Sequence, residues 1–216
     1  MQTAFTRSMF SMLSCLSVTR AGPTQPGGSG AGSCRAACYG ALLAGFAALA
    51  PWTPAAAAPI LTGRVERVED GDTVWLRVEG GERVKVRLAS IDAPEIAHTS
   101  REEGRVGQPY GEASQRLLQR LVQGQVVVAD CPEYDGRYNR PVCALSVEGV
   151  SVNAEMVRRG MAWANTSAKG RYLRDRSLLD LQSEARRKGL GLWAEPNPVP
   201  PWEWRSRCWK QRECPA

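Results

Sequence analysis

Histidine is nearly absent from this chain, in which His98 is the only one among 216 residues. The four cysteines beyond residue 58 have the spacings C-x11-C and C-x5-C, and the C-x2-C spacing typical of zinc sites is missing. Internal repeats are also absent. A single histidine and the missing C-x2-C spacing argue against a zinc site. His98 lies in a polar loop, and we interpret it as catalytically inert.

The first 58 residues contain no acidic side chain. Arg35 precedes an uncharged apolar run at 36–50, and two prolines and four alanines follow it. A basic region, an apolar region and small residues, in this order, are typical of a secretory leader. The apolar run is too short for a membrane span. We predict a leader at 1–58 and a secreted or periplasmic mature chain, with a retained N-terminal anchor as the alternative.

The remaining chain is only mildly basic. The whole sequence has a net charge of +6, and removal of the leader with its three arginines leaves +3. Such a charge fits a polyanionic partner without requiring one. Export would permit disulfides, and four cysteines allow three connectivities. We hypothesise the pairs Cys131–Cys143 and Cys208–Cys214.

The hydrophobic pattern predicts three strands, a helix, two strands and then helices. This order indicates an α+β protein, mainly a β barrel, in which a five-stranded OB-fold barrel carries about three packed helices. We assign 59–195 to this domain and 196–216 to a tail rich in Pro and Trp, whose tryptophans we expect to pin it to the body. The predicted strands are 60–68, 73–78, 83–88, 126–130 and 141–147, and the predicted helices are 112–122, 153–159 and 177–188.

The stretch from Asp70 to Glu95 concentrates charged residues at the ends of two strands. Asp72 belongs to a D-G-D turn in which we interpret Asp70 as a turn residue, Arg87 lies on the second strand, and Asp92 precedes Glu95 just after it. Carboxylates are the ligands of hard divalent cations, and guanidinium groups pair with phosphate. The stretch therefore predicts a site that holds a cation and a phosphate together.

Six sequence blocks in order give the chain a family resemblance over about residues 60–195. They are DGDTV at 70–74, RLASIDAPE at 87–95, YGEAS at 110–114, RYNRPV at 137–142, VNAEMVRRGMA at 152–162 and SEARRKGLGLW at 183–193. With these blocks the chain resembles the staphylococcal nuclease family, also called the micrococcal nuclease or thermonuclease family. The resemblance implies an OB-fold barrel and calcium-dependent hydrolysis of phosphodiester bonds in DNA and RNA.

The resemblance also implies a role for each matching residue. Calcium would be held by the carboxylates of Asp72 and Asp92 and by the backbone carbonyl of Ala93. The phosphate would be gripped by Arg87 and Arg140, with Glu95 as the residue that activates or positions water. Substrate would be contacted by Tyr138 and Arg137.

Two departures from the family pattern concern the nucleotide side of the site. Asn139 stands where the family has glycine, and Asn tolerates a left-handed turn better than most residues. The two tyrosines that line the family's nucleotide pocket have no counterpart at the matching positions. Tyr172 and Trp163 are the candidates to replace them.

We therefore expect an exported, monomeric, calcium-dependent nuclease with DNA or RNA as its substrate. No stable protein partner is expected, and no stable membrane association after the leader is cleaved. The first alternative is a non-catalytic OB-fold module that binds nucleic acid. The second is a surface interaction protein that uses its tail. The presence of all the charged site residues favours the enzyme, because degenerate members of the family lose acids or arginines.

Overall fold

Alternating apolar residues form a barrel in the computed structural model, which describes residues 59–98, 105–136 and 138–215. The predicted leader at 1–58 and Arg137 lie outside the described residues. The strands are β1 (Ile60–Val68), β2 (Thr73–Val78), β3 (Arg83–Leu88), β4 (Ile91–Asp92), β5 (Val126–Asp135), β6 (Arg140–Val147), β7 (Val150–Ser151) and β8 (Trp163–Ala164).

The barrel closes through one parallel strand pair. Strands β1, β2 and β3 form an antiparallel meander, β5 pairs with β1, and β6 pairs with β5. Strand β3 then runs parallel to β6, so that Arg87 faces Val142 and Leu88 faces Cys143. The predicted five-stranded barrel is confirmed. Its closure brings the end of β3, which carries Arg87, beside the start of β6.

Three longer helices cover the barrel, as predicted. Helix α1 (Gly111–Val122) buries Leu117, Leu118 and Val122 in the barrel core, and helix α2 (Val152–Arg158) buries Met156 and Val157. The helices are α1 (Gly111–Val122), α2 (Val152–Arg158), α3 (Ser167–Gly170), α4 (Leu178–Arg187) and α5 (Pro201–Trp204), with a 3₁₀ turn at Gly191–Ala194 and a π-helical segment at Arg205–Lys210.

A buried asparagine ties α2 to the closed barrel. Asn153 accepts a hydrogen bond from the backbone N–H of Leu145 (2.9 Å) and donates one to the carbonyl of Ala89 (2.8 Å). Since Ala89 follows β3 and Leu145 belongs to β6, this one side chain holds both strands of the closing pair. The asparagine of the V-N-A-E block thus supports the position of Arg87 without entering the site.

Strand β5 is longer than the sequence predicted. We expected it to end at Asp130, but it continues to Asp135 after a bulge between Asp130 and Glu133. Pro132 has no N–H to donate, and the extra residue of a bulge lets a strand pass such a position and continue pairing. The extension carries Asp135 to a position opposite Arg140.

The hypothesised cysteine pairing is the one in the structure. Cys131 and Cys143 join β5 to β6 inside the core, where both are fully buried. Cys208 and Cys214 close a short loop in the tail. The first bridge therefore belongs to the barrel and the second to the C-terminal segment.

The C-terminal tail is packed on the body through its tryptophans, as expected. Trp204 is buried, and its indole N–H donates to the carbonyl of Val106 (3.2 Å). Trp209 donates to the same carbonyl (2.9 Å). Among the described residues, no helix has the length and apolar character that crossing a membrane requires.

Candidate active site

The D-G-D turn between β1 and β2 places Asp72 at the rim of the barrel. The backbone N–H of Asp72 donates to Asp70 Oδ1 (2.9 Å), which makes Asp70 the turn residue that we expected. Gly71 is required there, because a Cβ atom on it would lie 2.6 Å from the Cβ of Ala93 and 2.2 Å from Ser114 Oγ. The turn thus approaches the chain that follows β4.

Arg87 links the two acids that were predicted to bind calcium. Its guanidinium donates to Asp72 Oδ1 (2.9 Å) and to Asp92 Oδ1 (3.0 Å). The N–H of Ala93 donates to Asp72 Oδ2 (3.1 Å). The acid side chains are only 5% and 1% exposed, against 22% for Arg87. Two strand ends and one loop therefore meet in a single buried cluster.

Burial and neighbouring charges shift the pKa values of Asp92 and Arg87 in opposite directions. Burial disfavours the charged form of Asp92, but the guanidinium groups of Arg87 and Arg205 outweigh it and lower its pKa. Burial would also lower the pKa of Arg87, and the charges of Asp72 and Asp92 raise it instead. Asp92 and Arg87 therefore stabilise each other's charged forms.

Burial is the main influence on the pKa values of the two carboxyl groups beside this central cluster. Burial, followed by the charge of Asp72, raises the pKa of Asp70 to about 8. Burial raises the pKa of Glu95 to about 7, although Arg205 acts to lower it. Four carboxyl groups, those of Asp70, Asp72, Asp92 and Glu95, thus share this cluster with the two guanidinium groups of Arg87 and Arg205.

A divalent cation fits the donor set on these grounds. Asp72 and Asp92 offer hard oxygen atoms of the kind that calcium prefers, and both residues and Ala93 are buried. Among the described residues, no three His, Cys, Asp or Glu side chains converge as a metal cluster. The predicted ligand set differs from such a cluster, since it uses two carboxylates and a backbone carbonyl.

The loop between β5 and β6 supplies Arg140. Its guanidinium donates to Asp135 Oδ2 (2.8 Å) and lies 4.9 Å from the ring centre of Tyr138. Its Nε is buried and has no hydrogen-bond partner among the described residues. Asn139 adopts φ = 51°, the left-handed conformation for which Asn was expected to replace glycine. Arg140 therefore has a donor left for a ligand.

One groove collects most of the residues that the sequence singled out. Its lining includes Glu95, Arg87 and Arg140, with Tyr138 beside them. Asp72 and Asp92 contact Arg87 directly behind this lining. The structure thus brings every predicted site residue among the described ones into one neighbourhood, and Arg137 is the one that lies outside the described residues.

Of the two proposed replacements for the nucleotide-pocket tyrosines, only Tyr172 is accessible. It lines a cavity together with Arg87, Asp135 and Arg205, and it is half exposed. Trp163 is buried instead, with its ring 4.4 Å from that of Trp193 at an angle of 62°. Trp163 is therefore a core residue and Tyr172 the candidate for base contact.

The sequence did not predict Arg205, a further arginine in the site. It donates to both carboxylate oxygens of Asp92 and to Glu95. No sequence signal could have revealed this contact, because an isolated arginine between tail tryptophans has no spacing relation to acids more than a hundred residues earlier.

Comparisons with known proteins identify the family of this chain. Residues 85–195 match the family model described as staphylococcal nuclease homologue. A Haemophilus influenzae protein named "Uncharacterized endonuclease" is 38% identical over 144 residues, which cover 67% of this chain and 72% of the relative. A Shigella flexneri protein named "Micrococcal nuclease" is 37% identical over 155 residues, covering 66% and 79%. The chain belongs to the staphylococcal nuclease homologue family.

Proposed function

We propose that this protein is an exported, calcium-dependent nuclease that hydrolyses phosphodiester bonds in DNA, RNA or both. Membership of the family, with relatives named endonuclease and micrococcal nuclease, makes the chain a nuclease and a hydrolase. Calcium dependence, the roles of individual residues and export are proposed in addition to this activity. The observation that carries it is the Asp72–Arg87–Asp92 cluster in contact with the groove that also contains Arg140.

The two arginines would hold the phosphate from two sides. Arg87 comes from the barrel and Arg140 from the β5–β6 loop, and both line the same groove. Guanidinium groups donate in pairs to phosphate oxygens, and this geometry suits a reaction that increases the negative charge on those oxygens. Within the described part of the chain the Nε of Arg140 has no hydrogen-bond partner, and this supports the role because it leaves a buried donor for the substrate.

Glu95 would activate or position the attacking water. It lies at the groove, and its pKa of about 7 matches the range in which a carboxyl group exchanges protons efficiently near neutral pH. Asp72, Asp92 and the carbonyl of Ala93 would hold calcium. When bound, calcium supplies positive charge to a phosphate oxygen. Tyr138 and Arg137 would contact the substrate beyond the phosphate.

The test is degradation of single-stranded DNA, duplex DNA and RNA, with calcium and then with chelator. We expect cleavage with calcium and none with chelator. Glu95→Gln should bind nucleic acid but cut ~10²–10⁴-fold more slowly, since it loses general-base assistance. Glu112→Gln, an exposed acid on α1, is the matched control and should behave as wild type.

Three results would contradict parts of this proposal. Binding without cleavage by the wild type would favour a non-catalytic nucleic-acid-binding module. Full activity in chelator would remove the calcium requirement. Unchanged turnover in Glu95→Gln would remove Glu95 from the mechanism. Export is tested separately by N-terminal sequencing of protein from the culture medium or periplasm, where we expect a start near Ala58 or Pro59.

A further inference from the structure

Arg205 is the C-terminal tail's contribution to the acidic cluster. Its Nη1 lies 3.0 Å from Asp92 Oδ1, and its Nη2 lies 2.7 Å from Asp92 Oδ2. The same Nη1 donates to Glu95 Oε1. One planar guanidinium thus contacts a predicted calcium ligand and the predicted water-activating residue at the same time.

The tail segment that carries Arg205 is fixed to the body. Trp204, the preceding residue, is buried and bonded to Val106. The ring of Trp202 lies 5.9 Å from that of Trp163 at an angle of 73°. The contacts of Arg205 therefore rest on a packed support, and they differ in this from a flexible surface ion pair.

A buried glutamine connects this support to the segment of Glu95. Gln108 accepts a hydrogen bond from the N–H of Glu95 (3.3 Å), and its own N–H donates to the carbonyl of Glu95 (2.8 Å). Its side-chain amide also donates to the carbonyl of Val199, just before α5. The backbone of Glu95 and the start of the tail are thus held by one residue, so that Arg205 and Glu95 keep a fixed relation.

We propose that Arg205 is a positioning residue of the active site, which orients the carboxylate of Glu95 and fixes that of Asp92. The inference rests on the nuclease function proposed above and extends the active site to the C-terminal tail. Arg205 acts through the two acids that it contacts. A carboxylate that is held in its working orientation does not have to leave a competing rotamer before it activates or positions the attacking water.

Burial distinguishes this role from simple anchoring of the tail. The side chains of the two acids that Arg205 contacts, Asp92 and Glu95, are only 1% and 15% exposed, whereas the acid of an exposed pair such as Arg116–Glu112 is 77% exposed. Asp92 already has a partner in Arg87, which contacts Oδ1 from the barrel side. Arg205 therefore adds orientation, because its fork occupies both oxygens of Asp92 and one of Glu95.

The experiment compares Arg205→Ala and Arg205→Lys with Arg207→Ala in the full chain with its disulfides formed. Arg207 is an exposed residue of the same segment, outside the groove lining, and is the matched control. We expect kcat to fall ~10–100-fold in Arg205→Ala with KM little changed, as for residues that orient catalytic groups. Lysine keeps the charge and loses the fork, so Arg205→Lys should also be slowed.

Two further readouts separate positioning from tail anchoring. Free guanidinium ion should partly restore the turnover of Arg205→Ala, whereas a variant with a loosened tail would gain nothing from it. Calcium titrations followed by thermal unfolding, without substrate, should show calcium binding at least as tight as in wild type, because a positive charge beside Asp92 has been removed.

The outcomes are decisive in both directions. Wild-type kcat in Arg205→Ala or Arg205→Lys, or an equal loss in Arg207→Ala, would overturn the positioning role. Should the alanine variant fail to fold, the lysine variant gives the same test. Wild-type protein that does not cleave nucleic acid would refute the proposed function itself, and this result is separable because the wild type is measured first.

Discussion

The candidate active site has a barrel half (Asp72, Arg87 and Asp92) and a loop half (Tyr138 and Arg140), and the two halves differ in their contacts. The barrel half is buried and mutually paired, with Asp92 1% exposed. In the loop half, Tyr138 is 60% exposed and Arg140 has a buried nitrogen without a partner among the described residues. We therefore expect the barrel half to contribute to both stability and function, and the loop half to contribute to function alone.

The largest effect is expected from Arg87→Ala in the barrel half. Two buried carboxylates lose their shared partner, which should reduce the free energy of unfolding by about 3–5 kcal/mol. Turnover should also fall by ~10²–10³-fold, since a preorganised donor to the phosphate is lost. Urea unfolding and initial cleavage rates measure the two losses. Lys85→Ala on the same strand is the control, and equal losses in it would remove the special position of Arg87.

Arg140→Lys tests the loop half, where we expect loss of function without loss of stability. Lysine preserves the charge beside Asp135 but cannot donate in a fork, so turnover should fall about 10²-fold. The free energy of unfolding should stay within ~1 kcal/mol of wild type. The same two assays apply. A stability loss as large as that of Arg87→Ala would show that the two halves are not held differently.

The two disulfides give the smallest expected effect on activity and a graded effect on stability. Replacing both Cys131 and Cys143 by alanine should lower the free energy of unfolding by about 2–4 kcal/mol, with turnover of the folded protein unchanged. Replacing Cys208 and Cys214 should cost less, because the bridged residues are 6 apart instead of 12. Thermal unfolding measures both variants. Equal losses would mean that the bridge in the tail also constrains the barrel.

Much of the barrel could be predicted from sequence because its strands repeat with period two and its turns contain glycine. The predicted ends of β1, β2 and α1 agree with the structure to within a residue. The end of β5 could not be predicted, since Pro132 argues against a strand and only the partner strand β6 makes the bulge favourable.

Some residues of the candidate site could likewise be predicted from sequence and others could not. Asp72, Arg87 and Asp92 are close in sequence and lie at adjoining strand ends, so their meeting could be predicted from local structure. Arg140 required the family resemblance, because its approach depends on barrel closure. Arg205 could not be predicted, since its contact depends on how Trp204 packs against Val106, a tertiary interaction without a local pattern.

The parallel contact between β3 and β6 also has a kinetic consequence. It joins Leu88 to Cys143 across a long sequence separation, and contacts of this kind form slowly because the intervening chain must first be ordered. Helix formation on α1 needs no such closure. During refolding, the circular dichroism signal of the helices should therefore recover before cleavage activity does. The return of activity should coincide with formation of the β3–β6 pair that closes the barrel.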